Sequence, residues 1–463
     1  MTPYVNTAAS IFQLIEAIAA TASKNEKLAL VKTGMALPLF KRIVVAAYDP
    51  FKTYGIIQLP EPYPPYPGSP TMTLDGSEAW DVINKLATRE LSGDDARIEV
   101  AGMLADLDAP SAELFKRIIL KDMRAGFTEG TINKAAPKTI AEFPYMRCSL
   151  PPKSNIDKWD WSKGQISQEK ADGMFINTDL DIAGQASLRT RQGQPLPRTA
   201  AFEAVHVEVE LTLRRGTQSH GEMLVYRDNV LLPREENNGY LKHLVEGGKL
   251  EDNERVELHL WDQIGLESVE LGACGTPYSV RLAELAGQLR GRARLLKLVD
   301  TRLVKSKSES IDHFREMLRA GKEGTVVKNR DAIWKDGTSK DQVKYKLSAV
   351  VDLEITGIVP GKANTRTEGR PGSLSCQTRD GLLMTDVTVK NEKMRDAIEA
   401  APAQWVGRIM KVVFNTIMIA DEEGETHSLF LPRFEEDVYR LDKSVADSFP
   451  EVQEQYQAAI EAV

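Results

Sequence analysis

Lys170-Ala171-Asp172-Gly173 is the stretch on which the reading of this chain turns. Alone, a lysine beside turn-forming residues predicts only an exposed turn. Its weight comes from the ordered motifs downstream. Thr190-Arg191-Gln192-Gly193 is next, then His220-Gly221-Glu222-Met223-Leu224, Leu260-Trp261-Asp262 and Glu323-Gly324-Thr325-Val326-Val327-Lys328. Lys344-Tyr345-Lys346 comes after these, and near the C-terminus stand Leu431-Pro432-Arg433-Phe434 and Arg440-Leu441-Asp442-Lys443.

Upstream of Lys170 the chain reads as helical. Ile11, Leu14, Ile15 and Ile18 repeat at the spacing of one helical face, with Thr7 or Ser10 able to cap the start. Ile98, Val100, Met103, Leu104 and Leu107 predict a second helix. Leu114, Phe115, Ile118 and Ile119 predict a third, with Ser111 after Pro110 as its cap. The proline-rich stretch Pro60–Pro70 is expected to be a surface connection. Pro151-Pro152-Lys153-Ser154 reads as a linker. Beyond it, Val205–Leu211 and Val256–Trp261 alternate as strands do, and Ile311–Leu318 reads as a helix. Asp352–Ile358 opens a region of short strands broken by Gly, Pro and Asn, the texture of a small β-barrel. No internal repeat is visible.

Composition bounds the answer without deciding it. The 463 residues predict two to four domains of ordinary hydrophobic and charged content. No apolar run approaches the roughly 20 residues of a membrane span. Glu16 interrupts the apolar N-terminal stretch and no basic segment precedes it, so no signal peptide is expected and the protein reads as intracellular, with no membrane partner. The 3 cysteines, Cys148, Cys274 and Cys376, and the 6 histidines lack zinc-site spacing. The net charge of −8 opposes a nucleic-acid partner at first sight. Its acidic excess lies mostly after residue 348, however, so a basic face elsewhere remains open.

The ordered series resembles the covalent nucleotidyltransferases: DNA ligases, RNA ligases and mRNA capping enzymes. Leu86-Ala87-Thr88-Arg89-Glu90-Leu91-Ser92-Gly93 and Leu120-Lys121-Asp122-Met123-Arg124-Ala125-Gly126 extend the likeness to the ATP-dependent DNA ligases of T-even-type bacteriophages. The resemblance implies a multidomain fold: an all-α DNA-binding domain (1–148), an α+β nucleotidyltransferase or adenylation domain (149–349) and a C-terminal OB-fold β-barrel (350–463). It implies a monomeric enzyme that seals 5′-phosphate/3′-hydroxyl nicks in double-stranded DNA through a lysyl-AMP and a DNA-adenylate.

In that scheme Lys170 is the nucleophile. A lysine amine is almost wholly protonated at neutral pH, so the site is expected to depress its pKa, with Lys344 and Lys346 supplying the nearby positive charge. Glu222 and Glu323 are implied as carboxylates for Mg²⁺, with Mn²⁺ an alternative, and Glu222 also as a ribose contact. Trp261 is expected to stack on adenine and Gln168 to read its edge. Arg191 is implied as the arginine on the nick 5′-phosphate, with Lys328 as a further phosphate contact. Arg433, Arg440 and Lys443 resemble the motif that orients the pyrophosphate leaving group, on a domain hinged near Val351-Asp352.

Three departures stand out. The arginine usual five residues after the nucleophile is Phe175, the aspartate usual before Gly-Glu is His220, and Arg433 lies about two residues farther from Arg440 than is typical. Two other readings remain: an RNA ligase or capping-type enzyme, and a nick-binding protein impaired in catalysis. NAD as nucleotide source is disfavoured, because the extra N-terminal module and four-cysteine finger of NAD-dependent ligases are missing.

Overall fold

The computed structural model describes residues 4–56, 58–64, 71–363, 367–420 and 424–462. Residues 65–70 of the proline-rich stretch lie outside the described residues. The chain forms two compact units, residues 1–142 with 359–373 and residues 143–358 with 374–463.

The first unit holds the helices Ala8–Ala20, Lys24–Met35, Pro38–Tyr48, Glu78–Ala87, Gly93–Asp106, Ala109–Ile119 and Glu129–Ala135. Thr7 caps the first, its hydroxyl accepting from the Ser10 N–H at 3.4 Å. Ile11, Leu14, Ile15 and Ile18 are fully buried, and each contributes about 1.5–3 kcal/mol against exposure. The cap expected at Ser111 belongs to Asp108, whose carboxylate accepts from the Ser111 N–H at 2.8 Å. The Ser111 hydroxyl instead turns inward and accepts from the Leu74 N–H at 2.9 Å. In Gly93–Asp106, Val100, Met103 and Leu104 face the core while Ile98 is exposed.

Two sheets in the second unit determine where Lys170 sits. The first is 5-stranded, in the order Met146–Ser149, Gly337–Lys346, Gly324–Lys328, Gln165–Glu169, Thr301–Val304. The second runs Ala186–Thr190, Met174–Leu180, Thr217–Arg227, Glu254–Gly265, Leu296–Leu298. Lys170 follows the last residue of Gln165–Glu169, and its N–H continues the ladder to the Gly324 carbonyl at 3.0 Å. Ala171-Asp172-Gly173 then crosses into the second sheet, which Met174 begins. A Cβ at Gly173 would lie 2.2 Å from the Met223 carbonyl oxygen, so only glycine lets the backbones approach this closely.

One expected strand is a helix. Val205–Leu211 lies in Ala200–Thr212, where Phe202, Val205, His206 and Val209 are buried and Val207 and Leu211 exposed. Three valines at alternate positions mimic a strand, but the buried set repeats at helical spacing, and packing overrides β-propensity. Val256–Trp261 does lie in a strand, and Ile311–Leu318 in the helix Lys307–Arg319.

From Ala349 the chain builds a further 5-stranded sheet in the order Met384–Thr388, Pro371–Gln377, Ala349–Pro360, Ile409–Phe414, Arg433–Phe434. Val351, Leu353 and Ile355 alternate into its core with Met410, Val412 and Phe414. The helix Phe449–Glu461 closes the chain, begun by a capping box between Ser448 and Glu451. Among the described residues no helix is long and apolar enough to cross a membrane.

Candidate active site

Antiparallel pairing sets Gly324 opposite Lys346, and Val326 opposite both Lys344 and Gln168. This register brings Glu323, at the head of its strand, to Lys170. The Glu323 carboxylate accepts from the Lys170 ammonium through one oxygen and pairs with Lys346 through the other. Burial favours the free Lys170 amine, but Glu323, with Glu222 and Asp172 behind it, outweighs burial and holds the pKa above the ordinary lysine range. The depressed amine expected from the sequence is therefore not what this arrangement gives. Lys346 does move down, through burial first and then the Lys170 charge, with Lys344 adding to the effect. Glu323 stays below the usual carboxylate range, since the two lysines overcome its burial.

Glu222 lies on the neighbouring strand Thr217–Arg227. Its carboxyl accepts from the Gly173 N–H at 3.4 Å. Burial pushes its pKa up to about 8, with Lys170 opposing and Asp172 and Glu323 adding to the rise. It is a desolvated carboxyl short of positive charge.

A cavity lined by Lys170, Glu222, Gln168, Trp261, Lys328 and Tyr145 opens beside this cluster. Gln168 is fixed on both sides: its amide donates to the Thr301 hydroxyl at 3.1 Å and its oxygen accepts from the Tyr278 hydroxyl at 2.8 Å. Tyr278 sits 2.6 Å from the Trp261 carbonyl and accepts from Lys328 at 3.0 Å. Burial lowers Lys328 to about 8. Behind it Asp262 and Arg281 form a buried two-point ion pair at 2.8 and 2.9 Å. Trp261 is only partly buried and lines the cavity, which makes it a wall of the site and not a core tryptophan.

Phe175 belongs to a row of aromatic rings. Its centroid lies 4.6 Å from Tyr145, 5.8 Å from Trp261 and 6.5 Å from His220, and His220 stacks on Trp334 at 6.0 Å. Burial lowers His220 to about 4, so the residue in the usual aspartate position is a neutral ring. Arg191 rests over the Tyr145 ring, its guanidinium carbon 4.5 Å from the centroid.

The C-terminal cations stand elsewhere. Arg440 and Lys443 both bind Asp352 Oδ2, at 2.6 and 2.7 Å, and Lys443 also reaches Asp447 at 2.7 Å. Arg433 donates to Asn415 at 3.1 Å and to Ser348 at 3.0 Å. None of the three lines the Lys170 cavity. Carboxylates, an amide oxygen and a hydroxyl of their own region hold them in this arrangement.

Residues 152–346 match the family described as "ATP dependent DNA ligase domain". The chain carries an ATP-dependent DNA ligase domain. It is 25% identical over 485 aligned positions to the DNA ligase of Enterobacteria phage T4, with 96% of this chain and 98% of the relative covered. The DNA ligase of Enterobacteria phage T6 is also 25% identical, with the same coverage. Two solved structures, Pmar-Lig_PreS3 and Pmar-Lig_Pre., share the fold at TM-scores of 0.71 and 0.72 and identities of 20% and 19%. They cover 93% and 94% of this chain and 99% of their own.

Within the ligase domain the structure gathers Lys170, Lys346, Glu323, Glu222, Gln168, Trp261 and Lys328 around one cavity and its rim. Lys344 shares the Lys346 strand. Tyr278, Thr301 and Tyr145 also belong to the site but escape sequence reasoning. Only folding brings Tyr278 and Thr301 to Gln168 and Tyr145 to the cavity wall, and a lone tyrosine or threonine gives no signal.

Proposed function

We propose that the protein is an ATP-dependent DNA ligase that seals 5′-phosphate/3′-hydroxyl nicks in duplex DNA. The observation that carries this reading is Lys170, held beside Glu323 and Glu222 at the mouth of a cavity walled by Gln168, Trp261 and Lys328. After its ammonium proton passes to the Glu323 carboxylate it touches, Lys170 Nζ attacks the α-phosphorus of ATP, forming an N–P bond as the bond to pyrophosphate breaks. The nick 5′-phosphate then takes the AMP from lysine, and the 3′-hydroxyl displaces AMP to close the strand. We assign Trp261 to adenine stacking, Gln168 to the adenine edge, and Lys328 with Lys344 and Lys346 to phosphate charge.

Among the described residues no three acidic, His or Cys side chains form a metal cage. Mg²⁺, or Mn²⁺, needs only one or two carboxylates when substrate phosphates complete its shell. Glu222, a desolvated carboxyl short of positive charge, and Glu323 fit that role. Such an ion would neutralise phosphate charge. Lys346 contributes positive charge from the protein side.

We further assign residues 1–148 to DNA binding, 149–349 to adenylation and 350–463 to an OB fold. The protein works as a monomer in the cytoplasm, in replication, repair and recombination. Arg433, Arg440 and Lys443 serve the pyrophosphate only in a second arrangement of the C-terminal region, after the bonds to Asp352 give way.

Incubation with α-labelled ATP and Mg²⁺, followed by denaturing electrophoresis, tests the reading. Label on the wild type, lost on adding nicked DNA and missing in Lys170→Ala, is expected. Label from GTP instead would favour a capping-type enzyme, release on nicked RNA alone an RNA ligase, and no label a nick-binding protein.

A further inference from the structure

Phe175 stands where the ligase pattern has an arginine, and the geometry around it shows what the ring contacts in that place. Arg191 sits on the tight turn after the strand Ala186–Thr190, closed by the Gly193 N–H on the Thr190 carbonyl at 2.9 Å. Gly193 has φ +82°, and a Cβ there would lie 1.9 Å from the Phe143 ring, so this turn requires glycine. Its guanidinium carbon lies 4.5 Å from the Tyr145 centroid and 5.8 Å from that of Phe175, and the two rings meet edge to face at 4.6 Å. Tyr145 lines the Lys170 cavity, and Phe175 is the cross-strand partner of Glu222. Arg191 is exposed and, beyond its side-chain hydrogen bond to Tyr145, joins no salt bridge among the described residues, so its other N–H groups remain donors for an anion.

We infer that Tyr145 and Phe175 are positioning residues: they form an aromatic rest that holds Arg191 beside the Lys170 cavity, so that this one arginine anchors the 5′-phosphate of the nick. A planar guanidinium can stack on a ring with one face and still donate in its plane to phosphate. An arginine at 175 would repel Arg191 from this rest; a phenylalanine recruits it. The inference rests on the nick-sealing reading for the identity of the anion.

Equilibrium binding of nicked duplexes ending in 5′-phosphate or 5′-hydroxyl tests it on the full chain. The wild type is expected to favour the phosphate roughly tenfold or more, the weight of a charge-assisted contact. Phe175→Leu keeps the volume but removes the π face, and should cut that preference roughly two- to fivefold. Phe175→Tyr should retain it. In an Arg191→Ala background Phe175→Leu should cost nothing further. Arg191→Lys, at an exposed position that bears substitution, keeps the charge without the planar stack and should also lose preference. An undiminished preference in Phe175→Leu or in Arg191→Lys, additive losses in the double variant, or a wild type blind to the phosphate would each overturn the inference. ATP labelling of Lys170 is read separately, so failure of the ligase reading is distinguishable from failure of this one.

Discussion

Lys170 and Lys346 divide one carboxylate between them, each ammonium on its own oxygen of Glu323. The shared acid makes Lys170 and its neighbouring cation a single electrostatic unit, in which a change at one residue is felt at the other.

Lys346→Met is therefore expected to do more than remove a phosphate contact. It leaves Glu323 wholly to Lys170 and strips a positive charge from the place where phosphate charge develops. Lysyl-AMP formation should fall about 100-fold, the scale of losing one preorganised electrostatic group. Initial rates of label uptake measure this, and a change below threefold would sink the idea of a shared unit.

Tyr278 holds three site groups with one hydroxyl: Gln168 at 2.8 Å, the Trp261 carbonyl at 2.6 Å and Lys328 at 3.0 Å. Tyr278→Phe removes the hydroxyl from all three and leaves the buried Lys328 ammonium without that acceptor. Stability is expected to drop by about 1–3 kcal/mol, with KM for ATP rising more than kcat falls. Urea unfolding and steady-state kinetics report the two effects, and an unchanged KM would show that Gln168 and Trp261 do not meet the nucleotide.

Lys328 costs stability for the sake of its charge. Its folded pKa of about 8 lies below the ordinary 10.5, a gap of about 3 kcal/mol at most. Between those values the unfolded chain holds a proton the folded chain has lost, so stability rises with pH across that window. Lys328→Met should accordingly be more stable than wild type at pH 7, with the difference vanishing as the pH reaches about 10.5, while ATP use is impaired. Denaturation midpoints across pH decide it, and a less stable Lys328→Met at pH 7 refutes the burial cost.

Asp352 ties down Arg440 and Lys443. If those cations serve the pyrophosphate after release, Asp352→Asn lowers the barrier to releasing them. Lysyl-AMP formation from ATP should speed up severalfold, and the fold should lose about 1–3 kcal/mol where the buried network is broken. Slower labelling at unchanged stability would mean that Asp352 is needed in the reacting arrangement itself.

Much of the site is legible in the order of the chain. Lys170, Glu222, Glu323 and Lys346 stand in an ordered series with the spacing of strands and turns, and strands with fixed register keep such residues in line. Gly173 is legible for the same reason, since its place beside Met223 is local to one sheet crossing. Val205–Leu211 misleads because β-branched alternation looks alike on a strand and on the half-buried helix Ala200–Thr212. Tyr278 is illegible because it meets Gln168 across 110 residues of chain.

By itself, then, the sequence determined which residues are present to do chemistry and in what order they arrive, because side-chain type and strand periodicity are local properties. Tertiary structure alone decided the sign of the Lys170 shift, the docking of Arg440 and Lys443 on Asp352, and the meeting of Arg191 with Tyr145 and Phe175. Coulombic and ring contacts act through distance in space, and only the packed sheets fix those distances.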